Sequence, residues 1–291
     1  MVRGRSTGGS SMAEQRIRPA VCADDRWYPA SAAELRREVT GYIENATALD
    51  LPGDVVGLIA PHAGYYFSGH VAGAGYRQVR DGAHDLVVLI GPDHTSAAMG
   101  GLAVPDYAAW HTPLGDVPVD VALVAELERS VAVRRIRQDR EHSLEVQLPF
   151  LQVALHSFRL LPVMMGSQSP QLCRALGMAI AQLVHGKRVL LVASTDLSHY
   201  YPETTARELD RNTLQYILEF DPEGLCSALM REQAHACGGG PVAAVLFAAR
   251  ELGARHAHLV KYATSGDVWP DRAQVVGYAA VALTRPRNQS T

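Results

Sequence analysis

The sequence predicts an α/β protein built on a buried, mainly parallel sheet. Short apolar runs rich in β-branched residues recur along the chain, for example at residues 55–60, 86–91 and 188–194. Runs of this length and composition are typical of fully buried strands. Helical segments separate them, and a strand–helix–strand crossover makes two strands parallel. At 291 residues the chain is long enough to bury a sizeable core.

The individual elements follow from caps, breakers and periodicity. Ser31 and Glu34 form a capping box that starts the first helix. Pro61 ends the first strand because it has no N–H to donate to the ladder. Residues 98–117 lack a clean period and contain several prolines, which predicts a loop or an edge hairpin. The predicted strands are residues 55–60, 86–91, 158–165, 188–194, 258–262 and 275–283, and the predicted helices are residues 32–49, 68–79, 119–129, 143–154, 170–185, 203–219, 222–231 and 242–252.

Composition argues against several classes of protein. The chain is 47% hydrophobic and 20% charged, with a formal net charge of -3, so neither nucleic acid nor a membrane is expected as a partner. The four cysteines have no paired spacing, which argues against a disulfide framework and favours a cytoplasmic location. The absence of a Walker A loop, an H-E-x-x-H helix and a G-x-S-x-G elbow disfavours nucleotide-dependent and serine-hydrolase functions.

Polar clusters follow three of the predicted strands. His62 follows the first strand, His94 follows the second, and Asp196 and His199 follow residues 188–194. Because the carboxyl ends of parallel strands meet at one edge of a sheet, these side chains are expected to share a pocket. Cys237 lies on a glycine-rich turn where the backbone can approach closely. Imidazole and thiolate suit transition metals, and two histidines with one anionic ligand leave coordination positions open.

The residues beside these clusters have more than one interpretation. Asp196 and His199 are three apart, so the carboxylate either orients the histidine as a general acid or base or caps a helix. His142 and Glu145 share the spacing of one helix face and are assigned to the pocket wall or the second shell of ligands. Tyr65 and Asp93, which neighbour the two strand-end histidines, are assigned there too.

Five motifs in this order resemble the Memo family, whose bacterial and archaeal members are called AmmeMemoRadiSam system protein B. The motifs are Ala60-Pro-His-Ala-Gly-Tyr65, Gly91-Pro-Asp-His94, Glu141-His-Ser-Leu-Glu-Val-Gln-Leu-Pro149, Ser194-Thr-Asp-Leu-Ser-His199 and Cys237-Gly238. The resemblance implies a single αβα sandwich with a central, mainly parallel or mixed sheet, similar in fold to class III extradiol ring-cleavage dioxygenases. It also implies His62 and His94 as metal ligands, Cys237 in the place of the dioxygenase glutamate, and His199 as acid/base with Asp196 beside it.

The resemblance places one domain at residues 18–284, between a disordered N-terminal tail of residues 1–17 and a C-terminal tail of residues 285–291. The first hypothesis is an iron- or copper-binding protein with redox or dioxygenase-like activity on an unknown small substrate. A second is a non-catalytic module that binds a peptide or small molecule, or that docks to a radical-SAM partner, as the family name implies by association. A third is a zinc-dependent hydrolase, since zinc also accepts two histidines and a cysteine.

Overall fold

The computed structural model describes residues 16–287. A nine-stranded mixed sheet forms the centre, and helices flank it. Three short strands form a separate, smaller sheet. The α/β prediction is therefore confirmed. The helices are α1 (Ala32–Glu44), α2 (Tyr65–Arg77), α3 (Val121–Ser130), α4 (Leu148–Ala154), α5 (Pro170–Val184), α6 (Glu203–Leu218), α7 (Pro222–Met230) and α8 (Gly239–Glu251). The strands are β1 (Ile17–Arg18), β2 (Asp54–Ala60), β3 (Leu86–Pro92), β4 (Leu102–Pro105), β5 (Ala109–Thr112), β6 (Gly115–Pro118), β7 (Val133–Ile136), β8 (Arg159–Met165), β9 (Val189–Ser194), β10 (His199–Tyr201), β11 (His256–Thr264) and β12 (Val275–Arg285).

The middle of the large sheet is parallel and its margins are mixed. The strand order is β10-β12-β2-β9-β3-β8-β4-β7, with β11 paired to β12. Strands β2, β9, β3 and β8 run parallel to one another, whereas β12 is antiparallel to β2 and β4 is antiparallel to β8. The carboxyl ends of β2, β9 and β3 consequently lie side by side at one edge.

The crossovers place helices on both faces of this sheet. The connection β2–α2–β3 and the connection β8–α5–β9 advance in opposite directions across the strand order. Since both crossovers are expected to be right-handed, α2 and α5 fall on opposite faces. Helix α8 packs on β9 and β3 beside α5, while α2 packs on β2 and β12 beside α1. The parallel strands are buried on both sides, which is why they consist of unbroken apolar runs.

Several boundaries differ from the prediction for local reasons. The predicted helix at residues 143–154 is a 3₁₀ turn, Glu145–Gln147, followed by α4, with Pro149 in the first turn where a missing N–H costs nothing. Residues 98–117 form β4 and the β5–β6 hairpin, so the hairpin alternative was correct for part of the segment. Strands β1, β7 and β10 were not predicted, because each has only two to four residues.

The tails predicted from the sequence are residues 1–17 and 285–291. Residues 1–15 and 288–291 lie outside the described residues. Within residues 16–287, Ile17 belongs to β1 and Arg285 to β12, each one residue outside the predicted domain of residues 18–284. None of the helices within residues 16–287 combines the length and the hydropathy that a membrane-spanning helix requires.

Candidate metal centre

The register of the parallel strands brings the predicted ligands together. Ala60 of β2 pairs with Ser194 of β9, and Ile90 of β3 pairs with Ala193, so the chain leaves three adjacent strands at the same level. His62 and His94 follow within two residues of the ends of β2 and β3. The turn before α8 adds a third group from a distant part of the sequence. The ligand atoms of His62, His94 and Cys237 all lie within 4.8 Å of one another.

The hydrogen bonds around His62 define which of its ring nitrogens carries the proton. Ser194 Oγ donates its single hydrogen to the carbonyl of Ser143 at 2.6 Å and accepts a hydrogen bond from Gln147 Nε2 at 2.8 Å. His62 Nδ1 lies 2.9 Å from the same oxygen, so Nδ1 must be the donor. The Nε2 lone pair is therefore free, and it faces Cys237 Sγ at 3.2 Å.

His94 is fixed in the same tautomer by a carboxylate. Its Nδ1 lies 3.0 Å from Glu141 Oε1, and its backbone N–H donates to Oε2 at 2.6 Å. Burial would raise the pKa of Glu141, but the hydrogen bonds from His94 and from the Ser143 backbone outweigh burial and hold it at about 2. The carboxylate can only accept, so Nδ1 donates and Nε2 remains available as a ligand.

Cys237 is held by the backbone that follows β9. The Asp196 N–H donates to Cys237 Sγ at 3.3 Å, and the Cys237 N–H donates to the Asp196 carbonyl at 3.2 Å. The close approach requires glycine at position 238, since a Cβ there would lie 2.3 Å from the Ser194 carbonyl oxygen. The three donors are thus supported separately and converge, which fits a metal ion bound by two imidazoles and a thiolate.

The protonation state of the metal-free site follows from burial. Desolvation, reinforced by the nearby Asp196 carboxylate, raises the pKa of the Cys237 thiol to about 12. Desolvation also lowers the pKa of His62 well below its usual value, as do the neighbouring imidazoles of His142 and His94. Thiol and imidazole are both neutral near pH 7 without a cation between them.

His142 lies beside His94 at the edge of the site, and Trp27 joins it there. The His142 ring stacks on His94 with centroids 4.7 Å apart and on Trp27 at 4.0 Å. His94, Glu141 and His142 form a second group of potential ligands. Both oxygens of Glu141 already accept hydrogen bonds from the backbone and from His94, so its geometry is that of a residue that orients a ligand.

Asp196 does not orient His199, which corrects one expectation. Its Oδ1 accepts the His62 backbone N–H at 2.8 Å, and within residues 16–287 no hydrogen bond joins it to His199. Residues 195–198 form no helical turn and lead directly into β10, so the helical spacing that would bring the two side chains together is absent. Burial raises the pKa of Asp196 to about 7.

His199 lies next to the site from another direction. It shares the lining of a cavity of about 380 Å³ with Cys237. Desolvation lowers the pKa of its ring below the usual value. The loop before it is fixed by Asp210, a buried carboxylate that accepts the Ser198 N–H at 2.8 Å and the Tyr262 hydroxyl at 2.6 Å. Asp210 was not predicted from the sequence.

Tyr65 and Asp93 have structural contacts rather than a place beside the ligands. The Tyr65 hydroxyl donates to the Val146 carbonyl at 2.6 Å, and the ring is buried in the core. Asp93 accepts the Thr95 N–H at 2.9 Å and the Ala98 N–H at 2.6 Å, which fixes the loop after His94. The assignment of these side chains to the pocket wall is not supported by their contacts.

Glu145 faces away from His142 and anchors the N-terminal segment. Its carboxylate accepts hydrogen bonds from the backbone of Val21 and Cys22 and from the Tyr28 hydroxyl, the last at 2.6 Å, and it pairs with the buried Arg18. A 3₁₀ turn begins at Glu145, so the shared helix face assumed for the two residues does not exist. The anchored segment carries Trp27 to the site.

The residues that sequence reasoning missed act on the ligands rather than as ligands. Glu141 and Ser194 fix the two histidine tautomers, Gln147 supports Ser194, and Trp27 stacks on the wall. Glu141, Gln147 and Ser194 lie within the motifs that resemble the Memo family, but no role was assigned to any of them. Ser194 looks like the last residue of an apolar strand, and nothing in the periodicity distinguishes it.

Comparison with known proteins gives one consistent family. The sequence model of the family described as Memo-like protein matches residues 18–282. A MEMO1 family protein of Methanopyrus kandleri is 38% identical over 281 residues, covering 92% of this chain and 98% of that one. A MEMO1 family protein of Ignicoccus hospitalis is 38% identical over 290 residues, covering 93% and 99%. The crystal structure of an uncharacterised Escherichia coli K12 protein is similar at 15% identity and a TM-score of 0.46, covering 68% and 85%.

Proposed function

The chain belongs to the Memo-like protein family, and we propose that it binds a single iron or copper ion through His62, His94 and Cys237 and performs redox chemistry, of a dioxygenase-like kind, on a small substrate. The observation that carries the proposal is the tautomer pattern. Two hydrogen-bond networks each hold a proton on the Nδ1 of one histidine, which leaves Nε2 as the nitrogen that can bind a metal, and ligand atoms of both histidines lie close to a cysteine sulfur. Metal-ligating histidines are typically held by such partners on their other nitrogen.

The donor set favours a redox-active ion. Two imidazoles and one thiolate form a borderline-soft set, and three protein ligands leave positions for a substrate. A bound iron or copper ion would supply one-electron redox chemistry at those positions. Zinc accepts the same donors, so metal identity is the point at which a hydrolytic function would separate from this proposal.

His199 has the position and charge state of a general base. Its ring lines the cavity next to Cys237, and its lowered pKa keeps it neutral at pH 7. A neutral imidazole can take a proton from a substrate hydroxyl or amine in the cavity. Asp210 fixes the segment that leads to His199 by accepting the Ser198 backbone N–H.

Metal analysis of purified protein tests the proposal. The wild-type chain, loaded without oxygen to protect the thiol, is expected to hold about one equivalent of iron or copper, and the double variant His62→Ala/His94→Ala is expected to hold less than about a tenth of that. His156→Ala is the matched control, because His156 is exposed and remote from the site. Cys237→Ser is expected to remove the thiolate-to-metal charge-transfer absorption of the copper form.

The alternatives appear as separate outcomes. Negligible metal in the wild type, in the double variant and in His156→Ala would contradict the proposal and favour a metal-free binding module. Zinc with ester or amide turnover, and no oxygen consumption, would favour hydrolysis. Metal binding with unchanged absorption in Cys237→Ser would show that the sulfur is not a ligand.

A further inference from the structure

The cavity beside Cys237 gives information about substrate charge. Its volume is about 380 Å³, and it lies between the segment that leads into β10 and the loop that joins α7 to α8. Cys237 and His199 both contribute to its lining. A molecule in this cavity would contact a metal ligand and the general base together, so it is the natural substrate cavity of the proposed function, on which the present inference rests.

The walls of the substrate cavity carry almost no positive charge. Among its described lining residues there is neither arginine nor lysine, and Glu232 is the one residue with a fixed charge. His199, His235, Tyr201 and Cys237 are its other titratable lining residues. A carboxylate or phosphate in this cavity would lose part of its hydration without gaining a cation, which is unfavourable.

Backbone donors do not replace the missing cations. The N-terminus of α8 points toward the site, and a helix N-terminus is otherwise a good place for an anion. Its first N–H groups are already used: Gly238 donates to Thr195 Oγ1 at 2.9 Å, and Gly240 donates to Gln168 Oε1 at 2.6 Å. The Cys237 N–H is also occupied, by the Asp196 carbonyl. An anionic substrate would find these donors engaged.

The metal itself would not supply a large excess of positive charge. A divalent ion is offset by the Cys237 thiolate and by the Glu141 carboxylate that accepts from His94. The buried Asp196 carboxyl group lies directly behind His62. The surroundings of the ion are therefore close to neutral, and the outer wall of the cavity is acidic through Glu232.

The remaining walls suit a flat or apolar body. Leu197 and Leu229 contribute aliphatic surface, and the rings of Tyr201 and His235 meet edge to face with centroids 5.7 Å apart. We infer that the substrate of this site is a small uncharged or cationic molecule with an apolar or aromatic body, such as an alcohol or an amine, and that Glu232 favours the amine. Carboxylated and phosphorylated molecules are expected to bind more weakly than uncharged ones.

A charge series on one skeleton tests this inference. Phenethylamine, 2-phenylethanol and phenylacetate differ mainly in charge, and their dissociation constants are measured by calorimetry on metal-loaded wild-type protein. Phenylacetate is expected to bind at least about tenfold more weakly than 2-phenylethanol, because its carboxylate has no partner. Phenethylamine is expected to bind about two- to fivefold more tightly than the alcohol, the modest size reflecting the exposed position of Glu232.

Two variants make the test specific. Glu232→Gln is expected to remove the advantage of the amine and leave the alcohol unchanged. Glu251→Gln, the same charge change at the far end of α8, is expected to alter none of the three constants. Equal or tighter binding of phenylacetate, or no measurable binding of any probe, would overturn the inference. Metal content is measured on the same samples, so a failure to bind metal is recognised separately from a wrong order of charge preference.

Discussion

Replacing Glu141 with glutamine probes the feature on which the metal centre depends. Glu141 accepts His94 Nδ1–H and the Ser143 N–H on one oxygen and the His94 N–H on the other. An amide must present its NH₂ group to one of these donors. If NH₂ faces the imidazole, His94 keeps its hydrogen bond only by moving its proton to Nε2, and that nitrogen can no longer bind a metal.

The magnitude follows from the carboxylate's environment. Its pKa falls from 4.5 to about 2 in a fully buried position, which corresponds to roughly 3 kcal/mol of stabilisation at pH 7. Glu141→Gln should therefore lower the free energy of unfolding of the metal-free protein by roughly 3 kcal/mol at pH 7. Metal affinity should fall about 10- to 100-fold, as for other residues that orient a metal-ligating histidine.

Urea unfolding and competitive metal titration measure the two effects. A lowered carboxyl pKa gives stability that is complete above pH 4.5 and is lost as the pH falls toward 2, so the gap between wild type and variant should narrow from pH 7 to pH 3. Glu208→Gln, at an exposed position, is the control and should change neither quantity. Unchanged metal affinity in Glu141→Gln would show that Glu141 does not fix the His94 tautomer. An equal difference in unfolding free energy between wild type and variant at pH 7 and pH 3 would show that the carboxylate charge is not what stabilises the protein.

Three further substitutions test other contacts. Ser194→Ala removes the acceptor of His62 Nδ1–H, so metal affinity should fall about tenfold and the unfolding free energy by about 1–3 kcal/mol, in the same two assays. Burial raises the pKa of Asp196 to about 7, so the metal-free wild type should lose stability as the pH rises from about 4 to 7. Asp196→Asn should not show this loss. If the urea stabilities of the two proteins changed in parallel with pH, the prediction would be contradicted. Glu145→Gln leaves Arg18 with one buried partner fewer and should lower the unfolding free energy by about 3–5 kcal/mol, measured by thermal and urea unfolding. Wild-type stability of this variant in both measurements would contradict the prediction.

The sequence was most informative where burial on both faces forces a simple pattern. The parallel strands β2, β3 and β9 are apolar at nearly every position, so their ends could be located within one or two residues. Once the ends are known, parallel pairing places His62 and His94 at one edge with no further information. For Cys237 the sequence offered only a glycine-rich turn that allows a close backbone approach, and the structure shows that Gly238 does lie at a crowded position.

The backbone conformation of short polar segments could not be predicted in this way. The spacing of Asp196 and His199 is compatible with a helical turn and with an extended chain, and only the pairing of β10 with β12 selects the extended form. That pairing depends on a strand about 75 residues later in the chain. The segment before His199 is fixed by Asp210, whose contact with the Ser198 backbone has no signature in the local sequence.

A cysteine 3.2 Å from a histidine is also the arrangement of a nucleophilic dyad, and the electrostatics of this site argue against that chemistry. A nucleophilic cysteine needs a thiol pKa lowered toward 7 by a nearby positive charge. Here burial raises the pKa of Cys237 to about 12 and lowers that of His62, so proton transfer from sulfur to nitrogen would place two charges where desolvation opposes both. A cation bound between the two atoms reverses the balance, because it displaces the thiol proton and uses the free Nε2 lone pair without charging the ring. The burial that disables the dyad thereby couples ligand formation to metal binding, with release of a proton and an affinity that rises with pH.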